Sequence, residues 1–530
     1  MVYSSHDKQR SRESLNDQRW LQNLTRFGLP AIILVFYVTA ATHFSYTPDD
    51  TYIYLQFAKN IVHGNGFAFN AGEPTYGITS PLWLFIISSG GWLSIDLYVV
   101  AKVFDLVLAS FALLVLYVFA FEVIHDHWAA LCATLSFSVN IWFLRWAGTG
   151  METSFSILLL LLTIRYYLRN EYHLAVIFAG FLTLTRPEAW LLTLLMLIGV
   201  YLSSSDKRRA RKMIAALVII YAALLAPWLI YAYSTFGTIV PNTALAKAGM
   251  GFHLDDFTWT FTDIAKTLAV SDGITIAVVL IGVFALARQG QSILVSPGLT
   301  GNPKEETPIS NARWLESHFL PLAWLVGLPL LYVFTNANVI SRYLLLVVPI
   351  IVVYAFAVLW RALAMWRREN LRFVLGLGLT AILMGQNQFV FYSQVKPSIA
   401  AFTQGMQDCF IPIGKWFKAN TPEDAVIFAP DIGALGYYSD RKICDAAGLI
   451  SPEFLRFLRN GYTLDRMVEE RMYRTVCEAS YAVHRSHAPD EVRSAELTPL
   501  FWKPVFGLGL SDMRTVYYTV YEVNNLSSGE

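Results

Sequence analysis

Through residue 392 the chain alternates long apolar runs with short polar loops. From 393 onward the runs shorten and alternate with charge. A membrane-crossing helix needs about 20 consecutive apolar residues. Eleven apolar runs are candidate spans, several of them short: Phe27–Phe44, Val99–Ile124, Trp128–Phe143, Ser154–Leu168, Leu174–Thr185, Ala189–Leu202, Met213–Tyr233, Gly273–Ala287, Phe319–Phe334, Tyr343–Trp360 and Phe373–Phe391. Pro81–Leu93 is apolar but short. Cytoplasmic loops concentrate Lys and Arg. With the N-terminus inside and Pro81–Leu93 read as a partial or re-entrant element, the basic groups at Lys8–Arg26, Arg169, Lys207–Lys212, Arg288–Arg313 and Arg361–Arg372 all fall on the cytoplasmic side. Counting Pro81–Leu93 as a crossing would put every later basic loop outside. The pattern therefore predicts a polytopic α-helical membrane protein of about eleven spans. It has a cytoplasmic segment at 1–26, a transmembrane module at 27–392 with a first outer loop at 45–98, and an extracytoplasmic soluble domain at 393–530. That tail holds 14 Lys/Arg and 17 Asp/Glu, with apolar runs such as Ala425–Ala429 and Val516–Val523, and reads as mixed α/β.

Composition agrees. Of 530 residues, 55% are apolar and only 15% charged, against about 25% charged in soluble domains. The mean hydropathy is +0.45. A net charge of +1 excludes the basic balance of a nucleic-acid partner. The polar stretch Gln291–Asn311 is the nearest thing to a linker. The first span has a basic n-region but is longer than a signal-peptide core, and reads as an uncleaved anchor. Three of the four cysteines, Cys409, Cys444 and Cys477, lie in the tail. Their odd number predicts no essential disulfide.

The first outer loop carries the most chemistry. Pro48-Asp49-Asp50 follows a span directly. Acids in the first turn of a helix favour its dipole, so a capping role is the plain reading. The segment that follows is amphipathic, with Gln56, Lys59, Asn60 and His63 on one face and Tyr54, Leu55, Ala58, Ile61 and Val62 on the other. Gly64 and Gly66 end it. Such a helix lies in the membrane interface and would hold the two acids at headgroup level. Arg145, Glu152, Arg186-Pro187-Glu188, Asn242, Lys247 and Arg342 fall at the same side. Each cation alone reads equally as a snorkelling anchor, but ionisable groups gathered at one membrane face point to function. An acidic pair suits a general base acting on a hydroxyl, and Arg or Lys at headgroup level suits a phosphate. Together they suit transfer from a lipid phosphate. No Walker A, His-Glu-x-x-His or Cys-x-x-Cys pattern competes. No cofactor is certain. A divalent cation (Mg, Mn or Ca) held by Asp49 or Asp50 and the donor phosphate fits the same groups.

Pro48-Asp49-Asp50, His63-Gly64-Asn65-Gly66 and Ser80-Pro81-Leu82-Trp83 resemble the GT-C glycosyltransferases, multi-span enzymes that use polyprenyl-phosphate-linked sugars. The resemblance extends to bacterial cell-wall arabinofuranosyltransferases of the terminal β-1,2 type. It is supported by Gly150-Met151-Glu152-Thr153, Thr185-Arg186-Pro187-Glu188, Pro241-Asn242-Thr243 through Ala246-Lys247, Ser341-Arg342-Tyr343-Leu344, and in the tail by Asp431–Tyr438 and Asp445–Leu449. It implies an inverting displacement in the bacterial plasma membrane, with a polyprenyl-phosphate sugar (a pentofuranose in the nearest group) as donor and a hydroxyl on a glycan, lipid or protein as acceptor. It implies Asp49 as general base with Asp50 as alternate, and Glu152 as the second acid, near acceptor or metal. Glu73 only approximates the acid that follows the interfacial helix in some relatives. Arg186, Lys247, Arg342 and Asn242 are implied as donor-phosphate ligands. The outer domain is implied in acceptor binding, and Trp416, Tyr437, Tyr438 and Trp502 suit either sugar stacking or core packing.

Two rivals remain. A flippase for lipid-linked glycans would show inverted repeats and mid-membrane polar groups, and neither is evident. A non-catalytic scaffold would keep the fold without needing the Asp49-Asp50 pair.

Overall fold

The computed structural model describes residues 26–247, 254–288, 316–364, 369–489, 492, 496–508 and 514–524. The basic N-terminal segment and the Gln291–Asn311 stretch lie outside the described residues. The helices, in chain order, begin with α1 (Arg26–Ala41), α2 (Asp49–Val62), α3 (Pro81–Trp92), α4 (Leu97–Ile124), α5 (His127–Ser138), α6 (Ile141–Trp146), α7 (Thr153–Leu168) and α8 (Tyr172–Thr183). They continue through α9 (Trp190–Ser203), α10 (Lys207–Phe236), α11 (Asn242–Lys247), α12 (Leu254–Arg288), α13 (Phe319–Phe334), α14 (Ser341–Leu344), α15 (Val348–Ala364) and α16 (Glu369–Val390). Then come α17 (Lys396–Gly405), α18 (Ile411–Asn420), α19 (Gly433–Ser439), α20 (Leu455–Arg459), α21 (Leu464–Glu469) and α22 (Met472–Thr475).

Among the described residues four helices are long and apolar enough to cross a membrane: α4, α10, most of α12, and the run Leu371–Asn420. Six shorter apolar helices accompany them. Two expected spans are broken. Trp128–Phe143 divides at Asn140, whose Oδ1 accepts from the amides of Trp142 (3.0 Å) and Phe143 (3.4 Å) and so caps α6. Tyr343–Trp360 divides between α14 and α15. Pro81–Leu93 forms the short α3, whose Trp83, Leu84 and Ile87 are fully buried. The last expected span does not stop at 391. Helical backbone continues through π-helical turns at Phe391–Val395 and Met406–Phe410 into the tail. At 1.5 Å per residue, 50 residues have a contour of about 75 Å, far beyond a bilayer core of about 30 Å.

The tail is mixed α/β, as the run pattern predicts. Strands β1 (Val426–Ala429), β2 (Lys442–Asp445), β3 (Tyr481–Ser486), β4 (Leu497–Phe506) and β5 (Thr515–Val523) form one sheet in the order β2-β1-β3-β5-β4. β1 runs parallel to β2 and β3, and the other pairings are antiparallel. Pro499 and Pro504 sit on the edge strand β4, where a missing N–H is tolerated. The tail also shares a core with the first loop. Phe57 and Phe69 pack with Ile427, Leu435 and Ile443.

One sequence expectation is corrected here. Cys444 and Cys477 form a disulfide, with Cα atoms 5.9 Å apart, while Cys409 is buried and free. An odd count forbids pairing every cysteine, but not pairing two that a strand and a helix end bring together.

Candidate functional site

Helix α2 is the centre of the site. Its expected polar face is not a solvated one. Gln56 Nε2 donates to the carbonyl of Phe69 (3.1 Å), and Asn60 Nδ2 donates to those of Ala68 (2.9 Å) and Phe69 (2.7 Å). Both side chains are buried, and Lys59 pairs with Asp440 of the tail. An interfacial helix would leave this face to water and headgroups. Here the loop 65–70 and the tail cover it.

The start of α2 is held from α4. Lys102 Nζ donates to the Tyr46 carbonyl (2.7 Å) and to Thr47 Oγ1 (3.2 Å). One turn further, Asp105 Oδ2 accepts from the amide of Gly150 (3.2 Å). Both side chains are buried. One helix face thus fixes the residues just before Asp49-Asp50 and those just before Glu152. Gly150 has φ +84°, and a Cβ there would stand 2.9 Å from Thr51 Cγ2, so glycine permits both the turn and the close approach of this loop to α2. Thr51 Oγ1 donates to the Thr149 carbonyl (3.1 Å). Charges three residues apart inside an apolar run were a readable signal that sequence reasoning passed over.

Four of the expected residues meet at a cavity of about 460 Å³, whose remaining lining is mainly apolar and includes Ile78, Trp190, Val240 and Leu331. Arg342 Nη2 donates to Asp50 Oδ2 at 2.6 Å, and Arg186 Nη2 lies 2.9 Å from Glu152 Oε1. The side chains of Glu152, Arg186 and Arg342 are 3%, 5% and 4% exposed. Asp50, at 34%, is the accessible member. The guanidinium of Arg186 lies 5.0 Å from the Tyr343 ring centre. That of Arg342 lies 5.5 Å from the same ring and 5.2 Å from Trp146. Glu188 accepts from the Tyr332 hydroxyl (2.9 Å) and lies 3.7 Å from Arg186. Arg186 Nε, Arg342 Nε and Glu152 Oε2 are buried and make no hydrogen bond to a described residue. Buried polar atoms are almost always satisfied, so beside this cavity two N–H donors and one carboxylate oxygen are free to meet a ligand.

The other expected residues lie elsewhere. Asp49, next in sequence to Asp50, points into the tail. Its carboxylate accepts from the amides of Gly433 and Ala434, both at 2.8 Å, at the start of α19. Gly433 is required there, because a Cβ would fall 2.0 Å from the Asp49 carbonyl oxygen. Burial, then the nearby Asp431, pushes the Asp49 carboxyl up to about 7 against the pull of the two amides. Asn242 is buried, donating its amide to the Tyr76 carbonyl (2.9 Å) and its Nδ2 to Thr75 Oγ1 (3.4 Å). Lys247 ends α11, and its side chain lies outside the described residues. Glu73 is half exposed and pairs with Lys442 of β2. Trp416 packs edge-on against Phe501 at 4.9 Å, Trp502 sits 5.4 Å from Tyr517, and Tyr437 and Tyr438 both adjoin Tyr52.

Among the described residues no three His, Cys, Asp or Glu side chains sit where they could hold a metal ion. All three acids lining the cavity, Asp50, Glu152 and Glu188, lie against arginine. This donor set does not fit a resident cation, which would have to displace a guanidinium.

A family model described as "Domain of unknown function (DUF8728)" matches residues 398–521. No curated protein matches the chain. Among solved structures, the apo oligosaccharyltransferase of Archaeoglobus fulgidus aligns with 86% of this chain and 69% of its own at 12% identity, with a TM-score of 0.54. ArnT from Cupriavidus metallidurans, bound to undecaprenyl phosphate, aligns with 96% of this chain and 99% of its own, also at 12% identity and a TM-score of 0.54. The archaeal enzyme AglB, in complex with an inhibitory peptide and a dolichol-phosphate, gives 87% and 69% coverage at 12% identity, with a TM-score of 0.50. The chain has the GT-C fold. Its apolar helices and C-terminal mixed sheet region match the architecture of GT-C membrane enzymes.

Proposed function

We propose that the protein is a membrane glycosyltransferase that moves a sugar from a polyprenyl-phosphate donor to a hydroxyl acceptor, with inversion. One observation carries the reading. Two buried arginines with unsatisfied donors and one accessible carboxylate meet at the edge of a largely apolar cavity. An isoprenoid phosphate needs both halves of that surface. The chain fills the apolar part, and Arg186 and Arg342 take the phosphate oxygens. Glu152 and the Tyr343 ring hold the guanidiniums in place.

Asp50 is the general base in this reading. At rest it is paired with Arg342, which makes it a weak base. A donor phosphate competes for the guanidinium and frees the carboxylate. Asp50 then takes the acceptor hydroxyl proton, the acceptor oxygen bonds to the anomeric carbon, and the bond from that carbon to the phosphate oxygen breaks. Polyprenyl phosphate leaves with the electron pair, its charge held by the two arginines. A single displacement inverts the anomeric centre. Asp49, with both oxygens taken by tail amides, serves to dock the tail. The likeness of the loops to arabinofuranosyltransferases makes a polyprenyl-phosphate pentofuranose the first donor to try. The Cys444–Cys477 disulfide suits an oxidising compartment, which supports a tail outside the bacterial plasma membrane.

The test is turnover by the purified protein in nanodiscs, given a polyprenyl-phosphate pentofuranose and a panel of hydroxyl acceptors. Transfer with inverted anomeric configuration is expected, together with retention of undecaprenyl phosphate that weakens in Arg342→Gln. Transfer from a nucleotide sugar without any lipid carrier would contradict the proposal.

A further inference from the structure

A second cavity of about 250 Å³ lies on the other side of α2. Successive helical residues turn by roughly 100°. Asp50, Ile53 and Tyr54 therefore face the lipid-phosphate cavity, and Tyr52 faces away from it. Tyr52 lines the second cavity with Thr47, Tyr98, Thr403, Gln407 and Tyr438. Its chemistry differs from that of the first. No charged side chain lines it among the described residues. Its walls are hydroxyls, one carboxamide, three tyrosine rings and the apolar side chains of Met406 and Ile411. The rings of Tyr52 and Tyr98 are near parallel, inclined by 27°, and that of Tyr438 stands 5.7 Å from Tyr52. Tyr98 and Thr47 share a hydrogen bond of 2.9 Å. Met406 and Gln407 reach the cavity from the π-helical turn Met406–Phe410. π-Helical turns are rare and recur at functional sites.

A phosphate or a lipid headgroup would want a cation in the wall, as in the first cavity. A hydrocarbon would want a dry wall. Hydroxyls that both donate and accept, set among tyrosine faces, match an uncharged sugar, whose hydroxyls take the polar groups while its C–H faces lie on the rings. We infer that this cavity is a subsite for neutral carbohydrate, holding units of an acceptor glycan that do not react. The inference rests on the transferase reading for the word acceptor, but not for the ligand class.

The experiment is saturation-transfer NMR on the full-length protein in detergent. The probes are neutral tri- and tetrasaccharides of arabinose, galactose, glucose and mannose, with oligogalacturonate as the anionic control. Undecaprenyl phosphate binding is measured in parallel. At least one neutral oligosaccharide should bind, and its affinity should fall about tenfold in Tyr98→Ala, the worth of one ring contact, and at least as much in Gln407→Trp, which fills the cavity. Gln407 is exposed, so its variant keeps the fold. Lipid binding should not change in either. No neutral oligosaccharide binding, binding that survives both variants, or binding of the anionic control alone would overturn the subsite. If the sugars bind as described but wild type retains no undecaprenyl phosphate, the transferase reading fails and the subsite stands. The reverse result fails the subsite alone.

Discussion

Asp49 and Asp50 are adjacent in sequence and belong to different regions of the molecule. Asp50 faces the cavity and pairs with a buried arginine from a helix nearly three hundred residues away. Asp49, one helical step round, is taken up by two amides of the tail at sequence separations of 384 and 385 residues. In the proposed reading, an acid pair at the start of a helix provides one group for chemistry and one for assembly. The two sides of α2 should respond to different perturbations. Changes on the cavity side should alter lipid binding or turnover and spare the docked tail. Changes on the tail side should alter stability and docking and spare the donor phosphate.

The largest effect expected on the cavity side is loss of the phosphate ligands. Each charge-assisted hydrogen bond contributes about 1.5–3 kcal/mol, so Arg186→Gln with Arg342→Gln should weaken undecaprenyl phosphate binding at least about a hundredfold, by native mass spectrometry or microscale thermophoresis. A double variant that binds the lipid as wild type does would remove the phosphate from this cavity. On the tail side, Cys444→Ser opens a loop spanning 33 residues and should cost about 3–4 kcal/mol in the chain-entropy view. This would be read as a lower thermal midpoint and faster proteolysis within 442–477, with lipid affinity unchanged. Gly433→Ala forces a Cβ onto Asp49 and should cost about 1–3 kcal/mol, loosening the tail by hydrogen exchange at 431–438. The smallest effect is in pH. The Asp49 carboxyl is raised to about 7 from an ordinary 3.8, so the folded state holds its proton more tightly than the unfolded chain does. Its contribution to stability is complete below about 4 and declines as pH rises through 7. The thermal midpoint should fall across that window, and Asp49→Asn should flatten the fall.

Much of this was legible in the sequence where the information was local. The apolar run Phe319–Phe334 is a helix with those same ends, and the tail runs became β1 and β5. The convergence of Asp50, Glu152, Arg186 and Arg342 was foreshadowed by their positions, because each stands near the end of an apolar run. What stayed hidden depends on partners far along the chain. Gln56 and Asn60 look like a solvated face until the loop at 68–69 closes on them. Nothing near Asp49 shows that Gly433 will approach it, and Cys444 and Cys477 meet only once the tail sheet forms. Asn140 was readable as a cap in principle, but the apolar residues around it outweigh one polar side chain in a span-length window.

The most direct test sets wild type, Asp49→Asn and Asp50→Asn side by side in one turnover assay, with undecaprenyl phosphate binding measured on each. The account predicts that Asp50→Asn loses about 10²–10⁴ in rate while still binding the lipid, and that Asp49→Asn keeps turnover within about tenfold of wild type. The opposite ranking, with Asp49→Asn inactive and Asp50→Asn active, would contradict it and return the catalytic role to the carboxylate that the tail now holds.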